Sequence, residues 1–397
     1  MEKPAYAGGK PVRETKLYYG HQYLDEKDVQ AVVEVLHSDY LTCGPRITEL
    51  EQKLCELTGA KYAVVCSNDT AALHIACMAA GVAAGDEVIT TPITFLASAN
   101  CALYCGAKPV FADIDEETYN IDPKEIEKAM TPKTKAVVAV DYTGQVVDLD
   151  AIMETCHKQN VVVIEDAAHS IGTLYKGRPI GSIADMTTFS FHPVKTVTGG
   201  EGGAVLTNSK EYYDRLVLYR AHGITRNPAF MKRESEGPWY YEQVDLGMNY
   251  RMTDIQAALI ISQLDKLSLF QKRRKEIVEK YNEAFSKIPE ITVQEEIPES
   301  DTTRHLYILR IKPEKLTIDR KQFFAAMAAE NICCNVHYIP VYRHPYYEEL
   351  GYEKGLCPKA EKLYEEIMSL PLYYSLTDED VDDVIHAVTK IVENYRK

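Results

Sequence analysis

The sequence predicts an α/β fold, with a mostly parallel central sheet in a large domain and a smaller C-terminal α/β domain. Two observations carry that prediction. Between about residues 60 and 210, short apolar runs alternate with helix-like stretches. Continuous apolar strands separated by amphipathic helices belong to a parallel sheet covered on both faces. From about residue 254 the pattern changes to long helical periodicity with few strand-like runs.

The elements follow in order. "KYAVVC" leads into the helical "TAALHIACMAAGV", and "DEVITT" into "TFLASANCALYCG". "KPVFADI" precedes "DPKEIEKAM", and "KAVVAVD" precedes "DLDAIMETCHKQN". "VVVIEDAA", "DMTTFSFH" and "GGAVLTN" then arrive with little helix between them. Beyond them, "DIQAALIISQLDKLSLFQKRRKEIVEKYNEAF" reads as one long helical pattern. "HLYILRI" and "ICCNVHYI" are strand candidates flanking the helix "DRKQFFAAMAAEN", and Thr377 is a plausible N-cap for the last helix. The expected division is a large domain over 15–250 and a small one over 251–397.

Composition narrows the function classes. A net charge of −15 argues against nucleic acid or an anionic membrane as the main partner. No apolar run approaches bilayer-spanning length, and "MEKPAYAGGKPVRETK" has no signal-peptide core, so a cytoplasmic location is expected. The ten cysteines show no Cys-x-x-Cys pairing and read as buried reduced thiols rather than a metal or disulfide set.

In a parallel sheet, ligands sit beyond the carboxyl ends of the strands, so the residues there decide the chemistry. Glu165 and Asp166 end the most apolar strand. Asp166 either caps the following turn or faces a cation, because a buried carboxylate is costly without a partner. "VVCSNDTAALHIA" is a strand, a small polar turn and a helix. Ser67, Asn68, Asp69 and Thr70 either simply initiate that helix or form an anion site from its free N–H groups. No Gly-x-Gly-x-x-Gly and no Walker lysine is present.

Lys195 sits between "FSFHPV" and "TGGEGGAV". It is either a solvated surface group or a cleft amine whose proton is loosened by desolvation, able to form a Schiff base. A phosphate-binding helix start, a strand-end acid and a cleft lysine together fit pyridoxal phosphate (PLP). Its phosphate, ring nitrogen and aldehyde would meet the three features in turn.

"EDAAHSIGTLYKGRPIGSIADMTTFSFHPVKTVTGGEGGAVLTN", "TPITFLASANCALYCGAKPVFADID" and "LGMNYRMTDIQAALIISQLDKL" closely resemble blocks of the DegT/DnrJ/EryC1/StrS nucleotide-sugar aminotransferases. The likeness runs from about Tyr19 to the C-terminus. It implies the type I PLP-dependent aminotransferase fold, usually as a homodimer with two shared active sites. It also implies that Lys195 is the Schiff-base lysine, that Asp166 pairs with the pyridine nitrogen and that His169 lies beside the ring or its hydroxyl. Ser190 and Thr70 would contact the phosphate, with the Asp69 N–H assisting. Phe95 would stack on the ring, and Asn249 would reach the phosphate held by the other subunit. Asp69 stands where relatives often carry glycine or alanine, and its side chain is expected to turn away from the phosphate. Some family members carry histidine in place of the lysine and are dehydratases. Lys195 here implies transamination, with His192 in a separate slot.

The resemblance implies an amino donor, L-glutamate, and a keto sugar nucleotide, with pyridoxamine phosphate (PMP) between the half-reactions. Arg220, His222, Arg226, Lys232, Arg233 and Arg251 are candidate diphosphate partners or solvated charges. "NVHYIPVYRHPYYEELGY" is either an aromatic cluster or a sugar-pocket wall. The substrate side is therefore expected to draw on His192, Arg220, Arg251, His337, Tyr338 and Tyr19. The likeness of "FSFHPVKTVTGGEGGAVLTN" and "VHYIPVY" to transaminases of pseudaminic acid synthesis implies a UDP-linked 4-keto-6-deoxy-N-acetyl hexosamine. Another UDP- or dTDP-4-keto sugar is the alternative. A regulatory protein that keeps the fold without turnover is a third reading, against which Lys195 and Asp166 both stand.

Overall fold

Small and β-branched residues in short runs make the strands of the main sheet, and both of its faces are covered. In the computed structural model, which describes residues 2–397, the strands are β1 (Tyr62–Cys66), β2 (Glu87–Thr90), β3 (Lys108–Phe111), β4 (Thr134–Val140), β5 (Val162–Asp166), β6 (Met186–Ser190) and β7 (Gly203–Thr207). Their order is β1-β7-β6-β5-β4-β2-β3. The run from β3 to β6 is parallel. β7 is antiparallel to both β6 and β1 because it follows β6 through a short loop instead of a crossover helix.

The period of two along each strand divides the core. Val65, Val137, Ala139 and Val163 point to one face, where they meet α2 (Pro45–Thr58) through Leu50 and Leu54 and α6 (Leu149–His157) through Ile152. Val64, Cys66, Ala136, Val138 and Ile164 point to the other face, against α3 (Asp69–Ala79), α4 (Ala97–Tyr104) and α7 (Lys210–Arg220).

The long helical pattern is broken into two helices, Asp254–Leu264 and Leu267–Phe285. The first opens on a capping box from Thr253 and Gln256. Apolar packing sets it with the sheet, through Ala257, Ile260 and Leu264. The second anchors the C-terminal unit with Ile277, Val278, Tyr281 and Phe285. A division at residue 250 therefore cuts across the packing. Leu17 also joins the C-terminal core, and Glu330 accepts from the Ala5 and Val12 N–H groups, so the N-terminal segment lies on that unit.

The C-terminal unit carries a three-stranded antiparallel sheet, Ile291–Val293, Tyr307–Ile311 and Ile367–Leu370. "HLYILRI" supplies its middle strand, but "ICCNVHYI" is not a strand. That segment touches its neighbours one residue at a time, through Ile332 with Leu17 and Asn335 with Ser369. Its register is held by side chains instead. Ser369 Oγ bonds His337 Nδ1 (2.7 Å), and the Tyr142 hydroxyl donates to the His337 carbonyl. Thr377 caps the last helix, Asp378–Tyr395, as its sequence suggests. No helix among the described residues is long and apolar enough to cross a membrane.

Candidate active site

A cavity of about 840 Å³ opens beyond the carboxyl ends of β4, β5 and β6, at the start of α3. The strand register assembles it. Gly203 pairs with Cys66 on one side and with Ser190 on the other, so the starts of α3 and β7 and the end of β6 converge. A side chain at Gly203 would not fit, because a Cβ there would lie 2.4 Å from the Asn68 carbonyl oxygen and 2.7 Å from the Asp69 nitrogen.

Asn68 is the N-cap of α3, its side chain accepting from the Ala71 N–H at 2.8 Å. That cap leaves Asp69 and Thr70 in the first turn, on the cavity wall. Ser190 lines the cavity at the end of β6. Lys195 follows in a turn closed by its own N–H onto the His192 carbonyl (2.9 Å). Burial pulls the Lys195 ammonium down to about 8, although Asp69 and then Asp166 oppose the shift. A useful fraction of neutral amine is therefore present near neutral pH.

Asp166 is buried at the end of β5. Its Oδ2 accepts from the Ser98 hydroxyl at 2.6 Å, and its Oδ1 from the Ala168 N–H at 3.2 Å. Thr94 Oγ1, in the bend before α4, lies 2.7 Å from Ser98 Oγ and extends the chain of hydroxyls. Burial raises the Asp166 carboxyl, and Ser98, Ala168 and Lys195 each counter it. Burial holds the His169 imidazole neutral, far below its usual range, and its Nε2 meets the Tyr338 hydroxyl at 3.2 Å. Phe95 stands on the wall with its ring 59% exposed, 6.4 Å from the Tyr338 ring.

The structure thus brings Asp69, Thr70, Phe95, Asp166, His169, Ser190, His192, Lys195, His337 and Tyr338 to one cavity. It sets Tyr19 behind His337, with ring centroids 5.4 Å apart. Asn249 and Arg251 are outside the lining, Asn249 in a single backbone bridge with Ala221. Arg220 is also outside it. Its guanidinium is taken up by Glu51 (2.6 Å) and the Val65 carbonyl (3.0 Å), so it is a packing ion pair and not a free cation for a diphosphate.

The Asp69 side chain is not solvated. It turns inward beside Lys195, Asp166 and Thr188, and its Oδ1 is shut off from solvent without a hydrogen-bond partner.

Several residues were missed from sequence. Ser98 lies in the first turn of α4, and Thr94, in the bend just before that helix, meets its hydroxyl. Asp141 follows the apolar β4 as Asp166 follows β5, and the same argument would have found it. Asp141 and Glu165 lie near each other under the sheet end, and burial raises both carboxyls. Burial pushes Glu165 up to about 7, with the Thr187 hydroxyl bonded to it at 2.7 Å. His305, whose ring centroid lies 4.5 Å from that of His169, gave no sequence signal.

These groups fit PLP on their own chemistry. Asp69 Oδ1, Thr188 Oγ1 and His169 Nδ1 are buried around the cavity without partners. The helix start suits a phosphate, Asp166 suits a protonated ring nitrogen, and Lys195 is the amine an aldehyde needs.

Comparison with known proteins agrees. The DegT/DnrJ/EryC1/StrS aminotransferase family pattern matches residues 22–389. The chain is 43% identical over 379 residues to the Bacillus subtilis spore coat polysaccharide biosynthesis protein SpsC, covering 95% of this chain and 97% of that one. It is 36% identical over 384 residues to a Campylobacter jejuni UDP-4-amino-4,6-dideoxy-N-acetyl-beta-L-altrosamine transaminase, covering 96% and 99%. The PLP form of Spr1654 from Streptococcus pneumoniae, described as a sugar aminotransferase, superposes with a TM-score of 0.88 at 32% identity, covering 96% of this chain and 99% of that one. With a cofactor site assembled from its own strand ends and a family match along nearly its whole length, the chain belongs to the DegT/DnrJ/EryC1/StrS aminotransferases and uses PLP.

Proposed function

We propose that this protein transfers the amino group of L-glutamate to the C4 keto carbon of a UDP-linked 4-keto-6-deoxy-N-acetyl hexosamine, giving a UDP-4-amino sugar and 2-oxoglutarate. The observation that carries the reading is the meeting of Lys195, Asp166, Thr70 and Ser190 in one cavity large enough for a sugar as well as a cofactor. The sugar class rests on the likeness to the altrosamine transaminase. Pseudaminic acid synthesis is the corresponding pathway.

When bound, PLP supplies an electron sink for the carbanion formed at the donor's α-carbon. The chain supplies the rest. Thr70, Ser190 and the N–H groups at the start of α3 hold the phosphate. Asp166 keeps the ring nitrogen protonated, with Ser98 holding that carboxylate ionised. Phe95 covers one face of the ring, and His169 stands beside its hydroxyl. The Lys195 amine would take the proton from the donor α-carbon and return it to the cofactor's aldehyde-derived carbon, and burial tunes its basicity for both tasks. His192, His337, Tyr338 and Tyr19 contact the sugar, and Arg251 serves the diphosphate. In a homodimer, Asn249 of one protomer reaches the phosphate in the other. The reaction is placed in the cytoplasm.

A second reading is amination of a different nucleotide-linked keto sugar, and the higher identity to SpsC favours it. A panel of UDP- and dTDP-4-keto sugars, each with glutamate and product masses recorded, separates the two. Turnover confined to the UDP-4-keto-6-deoxy-N-acetyl hexosamines supports the first reading, and preference for a dTDP sugar overturns it.

A further inference from the structure

Asp69 puts a second carboxylate into a site that must also hold a phosphate. It occupies the first residue of an eleven-residue helix, where an anion is favoured by the free N–H groups. A phosphate bound at the same helix start competes for that stabilisation. The carboxyl is faced by Asp166 at the end of β5, Lys195 after β6, Thr188 within β6 and Cys66 at the end of β1. Only Lys195 among these carries positive charge, and Asp166 shares it.

The two acids are unequally supported. Asp166 accepts from Ser98 and from the Ala168 N–H. Asp69 has only the Thr188 hydroxyl beside it, and its buried Oδ1 meets no well-aligned donor. Cys66 is buried and its thiol is pushed up, so it brings no compensating charge. When a phosphate dianion enters, the carboxylate with the weaker support loses its charge at least expense.

We propose that Asp69 is held as the neutral carboxylic acid when the cofactor is bound, so that loading the site takes up a proton from solvent onto this side chain. As the acid it becomes a hydrogen-bond donor in place of a second negative charge. The inference rests on the reading of the α3 start as the phosphate site. Burial and Asp166 already raise the carboxyl to about 8 in the unloaded chain, with Lys195 opposing. Below that pH the proton is in place before binding. Above it the proton must be acquired, and affinity falls about tenfold for each further pH unit.

The test is calorimetric binding of PMP, whose amine cannot condense with Lys195, to the full-length chain stripped of cofactor. Titrations in buffers of different ionisation heat count the protons taken up at about pH 7, 8 and 9. The wild-type chain is expected to take up close to one proton more than Asp69→Asn at about pH 9. It is also expected to bind PMP about tenfold more weakly there than at pH 7, with Asp69→Asn lacking that loss. Asp69→Ala, which removes the polar group altogether, is expected to share the flat profile. Equal proton counts and equal slopes in wild type and Asp69→Asn would overturn the proposal. So would loss of PMP affinity in Asp69→Asn at every pH, since the ionised group would then be the one required. Failure of the wild-type chain to bind PMP at any pH would reject the cofactor site itself, a result distinct from either.

Discussion

Ser98→Ala removes one hydroxyl from Asp166, the proposed partner of the cofactor's ring nitrogen. In the intact chain that hydroxyl donates to Asp166 Oδ2 at 2.6 Å, and the longer bond to Oδ1 comes from the Ala168 N–H. A hydrogen bond to a charged, buried acceptor contributes about 1.5–3 kcal/mol. It acts only on the ionised acid, so its loss raises the Asp166 pKa, and at about 1.4 kcal/mol per unit the rise is about 1–2 units. Single-turnover reaction with glutamate, followed by cofactor absorbance from about pH 5 to 9, reports this as an acid limb displaced to higher pH. Ser98→Thr, which keeps the hydroxyl, is expected to restore the limb. The reasoning fails if Ser98→Ala folds, binds cofactor and keeps its acid limb where the wild type has it.

Lys195→Ala is expected to lose at least about a hundredfold in single-turnover rate, the scale of a lost general acid–base, while still binding PMP by absorbance or calorimetry. Gly203→Ala drives a methyl group into the Asn68 carbonyl and the Asp69 nitrogen, so PMP affinity should fall more than the melting temperature changes; an affinity equal to wild type would contradict the packing described. Glu165→Gln tests the buried acid pair. Burial lifts Glu165 from 4.5 to about 7. The folded chain therefore binds more protons than the unfolded one between these values, and the stability this gives is lost as pH rises through about 7. The glutamine variant should match the wild type near pH 5 and exceed it near pH 8 by on the order of 2–3 kcal/mol in urea denaturation. Lower stability at both pH values would count against a raised Glu165 carboxyl.

The parts of the site legible in the sequence were those tied to strand ends. Asp166, Lys195 and Thr70 stand immediately after apolar runs, and the parallel sheet alone decides where such residues project. The sheet itself was legible because both faces are buried and the strands are uniformly apolar. What escaped needs long-range contact. Ser98 meets Asp166 across 68 positions of chain, and His305 meets His169 across the boundary between the two units. The segment "ICCNVHYI" has strand composition, yet it is held by Ser369 and Tyr142 side chains that no local pattern announces. The neighbours of Asp69, namely Lys195, Asp166 and Thr188, are also distant in the chain and left no local mark. Arg220 looked like a free cation because Glu51, its partner, is 169 residues away.

The wall bearing His337 and Tyr338 is fastened to both units, to Ser369 on the small sheet and to Tyr142 just beyond β4. It cannot swing aside without tearing bonds on two fronts. The exposed part of the cavity wall is instead where Phe95 and Tyr104 stand, each more than half open to solvent.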